Sequence, residues 1–454
     1  MDRVLVCRFL RGMSKTFRPW DIDQVWLLPA SVQDLVPSGH LAHFVRDTVR
    51  TALDLSSILA SYGAERGYPP YHPGMMTALL LHGYCQGVYS SRRLARACEE
   101  RLDFAAVSGL QRPDFRTIAD FRKRHLKALS GLFVQVLELC RKAGLAKLGP
   151  VALDGTKIKA NASQHKAMSY GRMKGAEDKL AAEVATWMKQ AEATDAAEDR
   201  EHGAERRGDE MPDWVADKVA RLAKIRAAKA ALEAEARAAA AARRDDGDDG
   251  APAKPGRKPA PPSGLPADKA QRNFTDPESR IMKTKDGFIQ GYNAQAAADA
   301  ASQVIVAHDL SQAGNDKQQL APMLEAIDIA NGRNPEQLSA DSGYCSEDNL
   351  AKLEERGIDG YVAVGRQKHG TPAATGERAA KPGTHTAAMQ DKLRRGGFES
   401  PYRLRKQVIE PIFGQIKQAR GFRQFLLRGV DKVRDEWALV CIAHNLTKLA
   451  RAVA

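Results

Sequence analysis

The sequence predicts an α/β protein: a mixed β-sheet flanked by helices, joined to an all-helical N-terminal domain and interrupted by a helical and disordered insertion. Three observations predict this class. Residues 13–148 have helical periodicity, residues 165–285 change to an Ala- and charge-rich composition, and short apolar runs alternate with helical patterns in the remainder. Along that remainder the order is strand, insertion, hairpin, helix, strand, helix, strand, helix, which is typical of a mixed sheet covered by helices.

Composition favours a large basic protein with a polyanionic partner. The 454 residues carry 69 Lys and Arg against 56 Asp and Glu, giving a net charge of +13 and a pI of about 9.4. A chain of this length can fill two or more domains. The basic excess favours nucleic acid as a partner without establishing it, because many basic proteins bind none.

Cysteine usage and hydropathy favour a cytoplasmic protein. The six cysteines are scattered without a CxxC pair, which favours reduced thiols over disulfides or a zinc site. No run approaches the ~20 apolar residues that span a membrane. A short apolar patch at the N-terminus is not followed by a cleavage signature, so we expect an untargeted, soluble protein with no membrane partner.

The N-terminal domain contains two basic helical segments. Residues 89–102 begin with Ser90 and Ser91, either of which can cap a helix, and residues 114–129 follow a break at Gly109. Two short helices joined by a turn are similar to a helix-turn-helix, while the alternative is a helical bundle with solvated arginines. The candidate DNA-contacting residues here are Arg92, Arg93, Arg116, Arg122, Lys123 and Arg124.

The insertion is predicted to form a helical hairpin or a coiled coil. Residues 213–244 are rich in Ala, Leu, Glu, Lys and Arg, which are strong helix formers. A partial heptad seam runs through them, formed by Val215, Leu222, Ile225 and Leu232. Residues 245–264 are rich in Gly, Pro and charge, and such a segment cannot bury a core, so we expect a disordered tether.

The sheet region is predicted from short apolar runs. Residues 150–153 form a buried strand that leads to Asp154, and residues 338–340 form another that delivers Asp341. Order resumes near Phe288 with an antiparallel hairpin. Further along, the pattern predicts a helix over 316–330, a helix capped by Ser346, a strand in GYVAV, a loop over 366–400 and helix over 403–451.

Three acidic residues carry the candidate chemistry. Asp154 and Asp341 follow strands expected to be adjacent, and Glu410 lies on a helix that could face the sheet. Three such carboxylates can converge on divalent metal, and two such ions about 3.5–4 Å apart can activate a nucleophile and stabilise the leaving oxygen of a phosphodiester. Mg²⁺ prefers these hard oxygen ligands. Alternatively, each acid has a local role, as a turn residue or as a partner of Lys406 or Lys417.

The segment around Glu410 is strongly basic. Residues 392–434 hold twelve Lys and Arg against three acidic residues. A lone carboxylate in such a field stays ionised, and the surrounding cations can bind phosphates; a solvated basic helix is the alternative. The candidate DNA-contacting residues here are Arg403, Arg405, Lys406, Lys417, Arg420 and Arg423.

These blocks resemble those of DDE-type transposases of bacterial insertion sequences. Residues 153–163 (LDGTKIKANAS) match the first-aspartate block, residues 340–350 match the second, and residues 402–449 match the glutamate block over nearly its whole length. Similarity to the helical N-terminal domain of the same group extends over residues 40–49, 71–98 and 113–126.

The resemblance implies a domain organisation. Residues 149–164 and 286–454 would form a ribonuclease-H-like catalytic core, and residues 13–148 a helical DNA-binding domain. Residues 165–285 are an insertion directly after the first aspartate, a position that leaves its role open. The expected localisation is the bacterial cytoplasm, in association with the nucleoid.

The resemblance also implies the reaction and its ligands. Asp154, Asp341 and Glu410 would be the catalytic metal ligands, with Mg²⁺ as the cofactor and Mn²⁺ as a substitute. Lys417 would contact DNA near the cleaved phosphate. The partners would be double-stranded DNA, as element ends and as target, and a second copy of the chain in a homodimeric DNA complex.

One signature departs from the related pattern. Where that pattern has Tyr seven and Arg four positions before the glutamate, this chain has Arg403 and Lys406, with Tyr402 and Arg405 each one step out of register. The sequence is compatible with three functions: an active transposase, a catalytically silent DNA-binding regulator, and a metal-dependent nuclease without strand transfer.

Overall fold

The computed structural model describes residues 31–62, 69–202, 213–245, 264–365, 374–376 and 378–453. Several parts of the sequence predictions lie outside these residues. They are residues 13–30 and 63–68 of the N-terminal domain, residues 203–212 of the insertion, residues 246–263 of the tether, and residues 366–373 and 377 of the predicted loop.

The N-terminal part is helical, as predicted. Its α-helices are α1 (Leu41–Thr51), α2 (Ser56–Leu59), α3 (Pro73–Cys85), α4 (Ser91–Glu100), α5 (Leu102–Ser108) and α6 (Phe115–Lys142). Ser90 caps α4 by accepting a hydrogen bond from the backbone N–H of Arg93. The predicted pair of short helices joined by a turn is wrong, because α5 separates α4 from α6 and α6 is 28 residues long.

A six-stranded mixed sheet forms the centre of the protein, in agreement with the predicted α/β class. The strands in the described residues are β1 (Pro150–Lys159), β2 (Ala167–Ser169), β3 (Gln271–Asn273), β4 (Arg280–Thr284), β5 (Gly287–Asp299), β6 (Ile305–Ser311), β7 (Gln337–Ala340) and β8 (Asp359–Val362). The sheet order is β4-β5-β1-β7-β8, with β6 also paired to β5, while β2 and β3 form a separate ladder. Strand β1 is antiparallel to β5 and parallel to β7, and β7 is parallel to β8.

Asp154 lies within β1 and not at its end. Pairing of β1 with β7 stops at Leu153, but pairing with β5 continues to Lys159. The predicted strand end after residue 153 is therefore wrong, because β5 supplies backbone partners for the polar second half of β1. The prediction for Asp341 is confirmed, since it directly follows the last residue of β7.

The insertion is a helical hairpin, as predicted. It consists of α7 (Tyr170–His202) and α8 (Asp213–Asp245). The helices are antiparallel, because Lys218 pairs with Glu183 whereas the later Lys229 pairs with Glu177. The four predicted seam residues are buried, with exposed fractions between 1% and 7%. Order resumes earlier than predicted, because β3 and β4 precede Phe288.

Helices cover the sheet after β6. They are α9 (Leu320–Asn331), α10 (Glu347–Glu355), α11 (His385–Gly396), α12 (Leu404–Gly414) and α13 (Val430–Val453), and a π-helical turn, Gln415–Ala419, follows α12. Ser346 caps α10, as predicted. The predicted loop over 366–400 is wrong at α11, which Thr384 caps and which buries Gln390 and Leu393.

The last segment is not one continuous helix. Residues 420–429 separate the π-helical turn from α13, and Gly421 and Gly429 there have φ angles of +72° and +86°. Such angles are accessible to glycine without strain and end a helix. Phe422 and Phe425 in this connection are buried, so it is part of the core.

One apolar core joins the helical N-terminal part to the sheet. It includes buried side chains of α3, α6, the sheet and α13, while the hairpin has a small core of its own. Trp437 of α13 donates from Nε1 to the backbone oxygen of Gln295 on β5 (2.9 Å). Asn445 pairs with both backbone groups of Ile305 at the start of β6.

Two smaller observations complete the fold. The five described cysteines are free, and four of them are buried. In the described part of the chain, every helix is too short or too polar to cross a bilayer.

Candidate active site

Asp154 lies at the point where β1 loses one neighbour. Its Oδ1 accepts from the backbone N–H of Gly155 (2.8 Å), and its Oδ2 accepts from Nη1 of Arg405 (2.6 Å). The side chain is 16% exposed. A carboxylate with so little water needs these donors, since a buried charge is stable only when it is paired or hydrogen-bonded.

Asp341 begins a tight turn at the carboxyl end of β7. Its Oδ1 accepts from the backbone N–H of Gly343 (2.8 Å) and caps the 3-10 turn Ser342–Tyr344. Because β1 and β7 are adjacent and parallel, Asp341 emerges at the sheet edge where Asp154 lies. The side chain of Tyr344 is fully buried and anchors the turn.

Glu410 approaches the same region from α12. Its Oε1 lies 3.8 Å from Nη2 of Arg405, and its side chain is 52% exposed. Arg405 therefore bridges the first aspartate and the glutamate, and its own side chain is only 10% exposed. Asp341 also acts electrostatically on both Asp154 and Arg405, so the three acids share one environment.

Burial dominates the electrostatics of the two aspartates. Burial, reinforced by the charge of Asp341, raises the pKa of Asp154 to about 6 despite the opposing effect of Arg405. Burial likewise raises the pKa of Asp341, against the effect of Arg405. The negative form of each acid is thus under-compensated, which is the condition in which an added cation is favourable.

The donor chemistry fits a divalent ion, although the side chains are not gathered around one point. Among the described residues, no three His, Cys, Asp or Glu side chains are grouped closely enough to hold a metal ion. Arg405 bridges two of the acids instead, with its guanidinium 2.6 Å from Asp154 and 3.8 Å from Glu410. The carboxylate oxygens present are nevertheless the hard ligands that Mg²⁺ prefers.

Lys417 lies beside β1, on the π-helical turn. Its Nζ donates to Oγ1 of Thr156 (2.5 Å) and to the backbone oxygen of Lys157 (2.8 Å). Burial lowers the pKa of Lys417, and Asp154 partly offsets this. A single π-helical turn is a frequent feature of functional sites, and here it places an ammonium group two residues along the strand from Asp154.

The other predicted cations of this segment divide by exposure. Arg403, Lys406 and Arg423 are exposed. Arg405 is instead buried in its ion pair with Asp154 and is not exposed on the surface, as the predicted contact with DNA requires. Arg420 is partly buried between α3 and α13, and one of its terminal nitrogens, Nη1, has no hydrogen-bond partner among the described residues.

The predicted N-terminal cations also divide. Five are exposed and form no ion pair with any described residue: Arg92, Arg93, Arg116, Lys123 and Arg124. Arg122 is different, because its guanidinium is buried and donates to the backbone oxygen of Tyr89 (2.8 Å) and to Ser91 Oγ (3.3 Å). Its assignment to DNA is corrected: helical periodicity turns this one arginine inward.

One acidic residue at the sheet edge of Asp154 and Asp341 was not predicted from the sequence. Asp316, in the loop between β6 and α9, accepts from Asn293 Nδ2 (2.7 Å) and Gln295 Nε2 (2.8 Å). It acts electrostatically on Asp341. The sequence did contain a signal for it, because Asp316 ends the segment GND at residues 314–316, shortly after a third strand.

Comparison with known families decides what this site belongs to. Residues 30–124 match a family model described as a transposase domain (DUF772), and residues 260–446 match one described as a transposase DDE domain. The chain belongs to the DDE transposases. Asp341 and Glu410 of this transposase lie inside the second match, whereas Asp154 lies between the two. No curated protein and no solved structure matches the chain.

Proposed function

We propose that this DDE transposase binds the terminal inverted repeats of its own insertion sequence and catalyses metal-dependent cleavage and strand transfer of DNA. One observation carries the proposal. Asp154 and Glu410 hold a single cation, Arg405, and Asp341, which follows the strand parallel to that of Asp154, acts electrostatically on the same guanidinium. An arrangement that binds one cation with these acids is suited to bind another.

The sheet supports a ribonuclease-H-like assignment for the catalytic core. Three strands in antiparallel pairing, β6, β5 and β1, continue into the parallel strands β7 and β8. Helices α9, α10 and α13 pack around this sheet. The proposed core comprises residues 149–164 and 286–454, with the hairpin as an insertion and residues 13–148 as the DNA-binding domain.

The residues have distinct proposed roles. Asp154, Asp341 and Glu410 would hold Mg²⁺, or Mn²⁺ in its place. When bound, such ions lower the pKa of an attacking hydroxyl and stabilise the departing oxygen. Lys417 would bind the phosphate next to the cleaved bond, since its ammonium is already directed toward β1. Arg405 would exchange its carboxylate partners for a phosphate oxygen.

The reaction needs no covalent enzyme intermediate. In the first step, water would attack the phosphodiester at the element end and release a 3′-hydroxyl. In the second step, that hydroxyl would attack a target phosphodiester, so one P–O bond forms as another breaks and no external energy source is consumed. Because two ends must be joined, we propose a homodimer in the DNA complex.

Cleavage of end DNA tests the proposal. The substrate is a duplex carrying the inverted repeat found beside the gene, incubated with Mg²⁺ and either the natural protein or a variant. We expect Asp154→Asn, Asp341→Asn and Glu410→Gln each to lower cleavage by at least roughly a thousandfold, because each removes a ligand of a shared site. Binding of the duplex, measured by gel shift, should stay within about threefold of the natural protein.

Matched controls separate site effects from general effects. Asp309→Asn and Glu399→Gln remove acids that are not among the three proposed metal ligands, and both variants should cleave normally. Full cleavage by the triple variant would overturn the proposal. Binding of the duplex without nicking by the natural protein would instead identify a DNA-binding regulator, and nicking without strand transfer from a pre-cut end would identify a nuclease.

A further inference from the structure

A fourth carboxylate lies at the sheet edge that carries Asp154 and Asp341. Strands β1 and β6 are both antiparallel to β5 and therefore run in the same direction. The loop that follows β6 consequently emerges where Asp154 and Asp341 are found. Asp316 lies on this loop and forms no ion pair with any described residue, so no neighbouring cation explains its presence.

Two amides hold this carboxylate against β5. Asn293 Nδ2 and Gln295 Nε2 donate to the same oxygen, Oδ1, at 2.7 Å and 2.8 Å. Both amide side chains are buried, with exposed fractions of 1% and 0%. Buried amides of this kind are costly unless their hydrogen bonds are satisfied, so the carboxylate and the two amides form one unit.

The residue after Asp154 is shaped around this unit. Gly155 pairs with Gln295 in the sheet. A Cβ atom at Gly155 would lie 2.6 Å from Oδ1 of Asp316 and 2.8 Å from Oδ1 of Asn293. Because glycine has no Cβ atom, the carboxylate of Asp316 can occupy this space.

The turn after Asp341 touches the same unit at two points. A Cβ atom at Gly343 would lie 3.3 Å from Oδ2 of Asp316 and 2.9 Å from Oδ1 of Asp341, so the carboxylates flank one glycine. Tyr344, the next residue, donates from its hydroxyl to Oε1 of Gln295. Gln295 therefore links the Asp341 turn and Asp316 to the strand beside Asp154.

We propose that Asp316, through Asn293 and Gln295, is a positioning residue that fixes the Asp341 turn relative to Asp154. The inference rests on the proposed function, because Asp154 and Asp341 matter as a pair only if they act together. Asp316 acts through hydrogen bonds, so an uncharged acceptor of the same size can replace it. That requirement separates positioning from direct metal binding, which needs the charge.

The test compares Asp316→Ala, Asp316→Asn and Asp341→Asn. For Asp316→Ala we expect Mn²⁺ affinity, titrated by EPR without DNA, and cleavage of end DNA both to fall by about 10- to 100-fold, the range for residues that orient metal ligands. Asp316→Asn should restore both to within about fivefold, because its amide oxygen can accept the same two hydrogen bonds. Duplex binding should not change.

Two controls address folding. Asp309→Ala removes an acid of β6 that pairs with half-buried Arg434, and it should change neither readout. If Asp316→Ala does not fold, Asn293→Ser tests the positioning role instead, because it removes one hydrogen-bond donor and leaves Asp316 in place. Cleavage by Asn293→Ser should fall, while its melting temperature should resemble that of Asp309→Ala.

Three outcomes would overturn the inference. Natural Mn²⁺ affinity and cleavage in Asp316→Ala, or in Asn293→Ser, would show that Asp316 and its two amide partners do not position the Asp341 turn. An Asp316→Asn variant as inactive as Asp341→Asn would show that the charge itself is needed. Normal cleavage by Asp154→Asn would overturn the proposed function and this inference with it, whereas inactive Asp154→Asn beside active Asp316→Ala would overturn the inference alone.

Discussion

Nη1 of Arg405 lies 2.6 Å from Oδ2 of Asp154, and the two side chains are 10% and 16% exposed. The same guanidinium lies 3.8 Å from Oε1 of Glu410. A cation that holds two of the three acids competes with any divalent ion that would bind them. Metal binding therefore requires Arg405 to move, and a DNA phosphate is the partner that could accept it.

Replacing Arg405 by glutamine should uncouple metal binding from DNA. Without the competing guanidinium, Mn²⁺ affinity of the DNA-free protein should rise about tenfold, a typical coupling between two ligands. Cleavage should fall, because the proposed phosphate contact is lost. Mn²⁺ titration by EPR and the end-cleavage assay measure the two effects. Arg403→Gln is the matched control, since Arg403 is exposed; equal Mn²⁺ affinities for both variants would contradict competition by Arg405.

Glu436 gives the protein a specific dependence of stability on pH. It is fully buried on α13 and accepts from the backbone N–H groups of Leu426 and Leu427. Burial raises its pKa to about 7, with Arg122 and the two N–H groups opposing. The unfolded chain has a glutamate pKa of about 4.3, so the folded protein binds this proton more tightly. The resulting stability is fully present below the unfolded pKa and is lost as the pH rises through 7.

Glu436→Gln should remove this dependence while keeping an acceptor for the loop. Between pH 4.5 and pH 8, the natural protein should lose about 3 kcal/mol more unfolding free energy than the glutamine variant, given 1.36 kcal/mol for each unit of pKa. Urea unfolding at the two pH values measures the difference. Parallel losses in the two proteins would mean that Glu436 is ionised in the fold over the whole range.

Local sequence signals predicted much of the scaffold and part of the site. The apolar runs before Asp154 and Asp341 predicted two strands, and the seam through Ile225 predicted the hairpin. Long-range partners decided the rest. β1 continues past Asp154 because β5, more than 120 residues later, pairs with it. The acceptor of Arg405 lies 251 residues earlier in the chain, so nothing near residue 405 reveals its burial.

Helix α11 and Arg122 illustrate a second limit. Gln390 is buried in α11 because its amide bonds to backbone groups of residues 375, 378 and 380, a role that polarity alone does not suggest. Arg122 resembles its exposed neighbours in sequence but satisfies the backbone oxygen of Tyr89. In both cases a polar residue is part of the core because a tertiary partner completes its hydrogen bonds.

The exposed cations of α4 and α6 should contact DNA phosphates, whereas Arg122 should not. Lys123→Ala should weaken binding of any duplex and reduce the slope of log K against log salt by about 0.9, the value for one phosphate contact. Arg122→Ala should leave that slope unchanged. It should instead lower the unfolding free energy by about 1–3 kcal/mol, because the buried backbone oxygen of Tyr89 and the hydroxyl of Ser91 lose their donor.

Salt-dependent fluorescence anisotropy and urea unfolding separate the two effects. Both variants are compared with Lys142→Ala, at the far end of α6, which should change neither quantity. A reduced salt slope in Arg122→Ala, or an unchanged slope in Lys123→Ala, would contradict the division by exposure.

The insertion hairpin should be able to unfold while the catalytic core remains folded. Its apolar cluster includes Tyr170, Met173 and Ile225 and is separate from the main core. Ile225 is 1% exposed, so Ile225→Ala should cost about 2–4 kcal/mol of hairpin stability by leaving a cavity. Faster amide exchange confined to α7 and α8 should follow, with exchange in β1, β5 and β7 unchanged.

Hydrogen exchange followed by mass spectrometry measures this prediction directly. Ala239→Ser, on an exposed face of α8, is the matched control and should leave exchange in both helices unchanged apart from a small propensity effect. If the hairpin stabilised the catalytic sheet, Ile225→Ala would also speed exchange in β5, and the two cores would have to be treated as one cooperative unit. An independent hairpin can be removed without unfolding the sheet, so the end-cleavage assay on a hairpin-deleted chain would then report its contribution to catalysis alone.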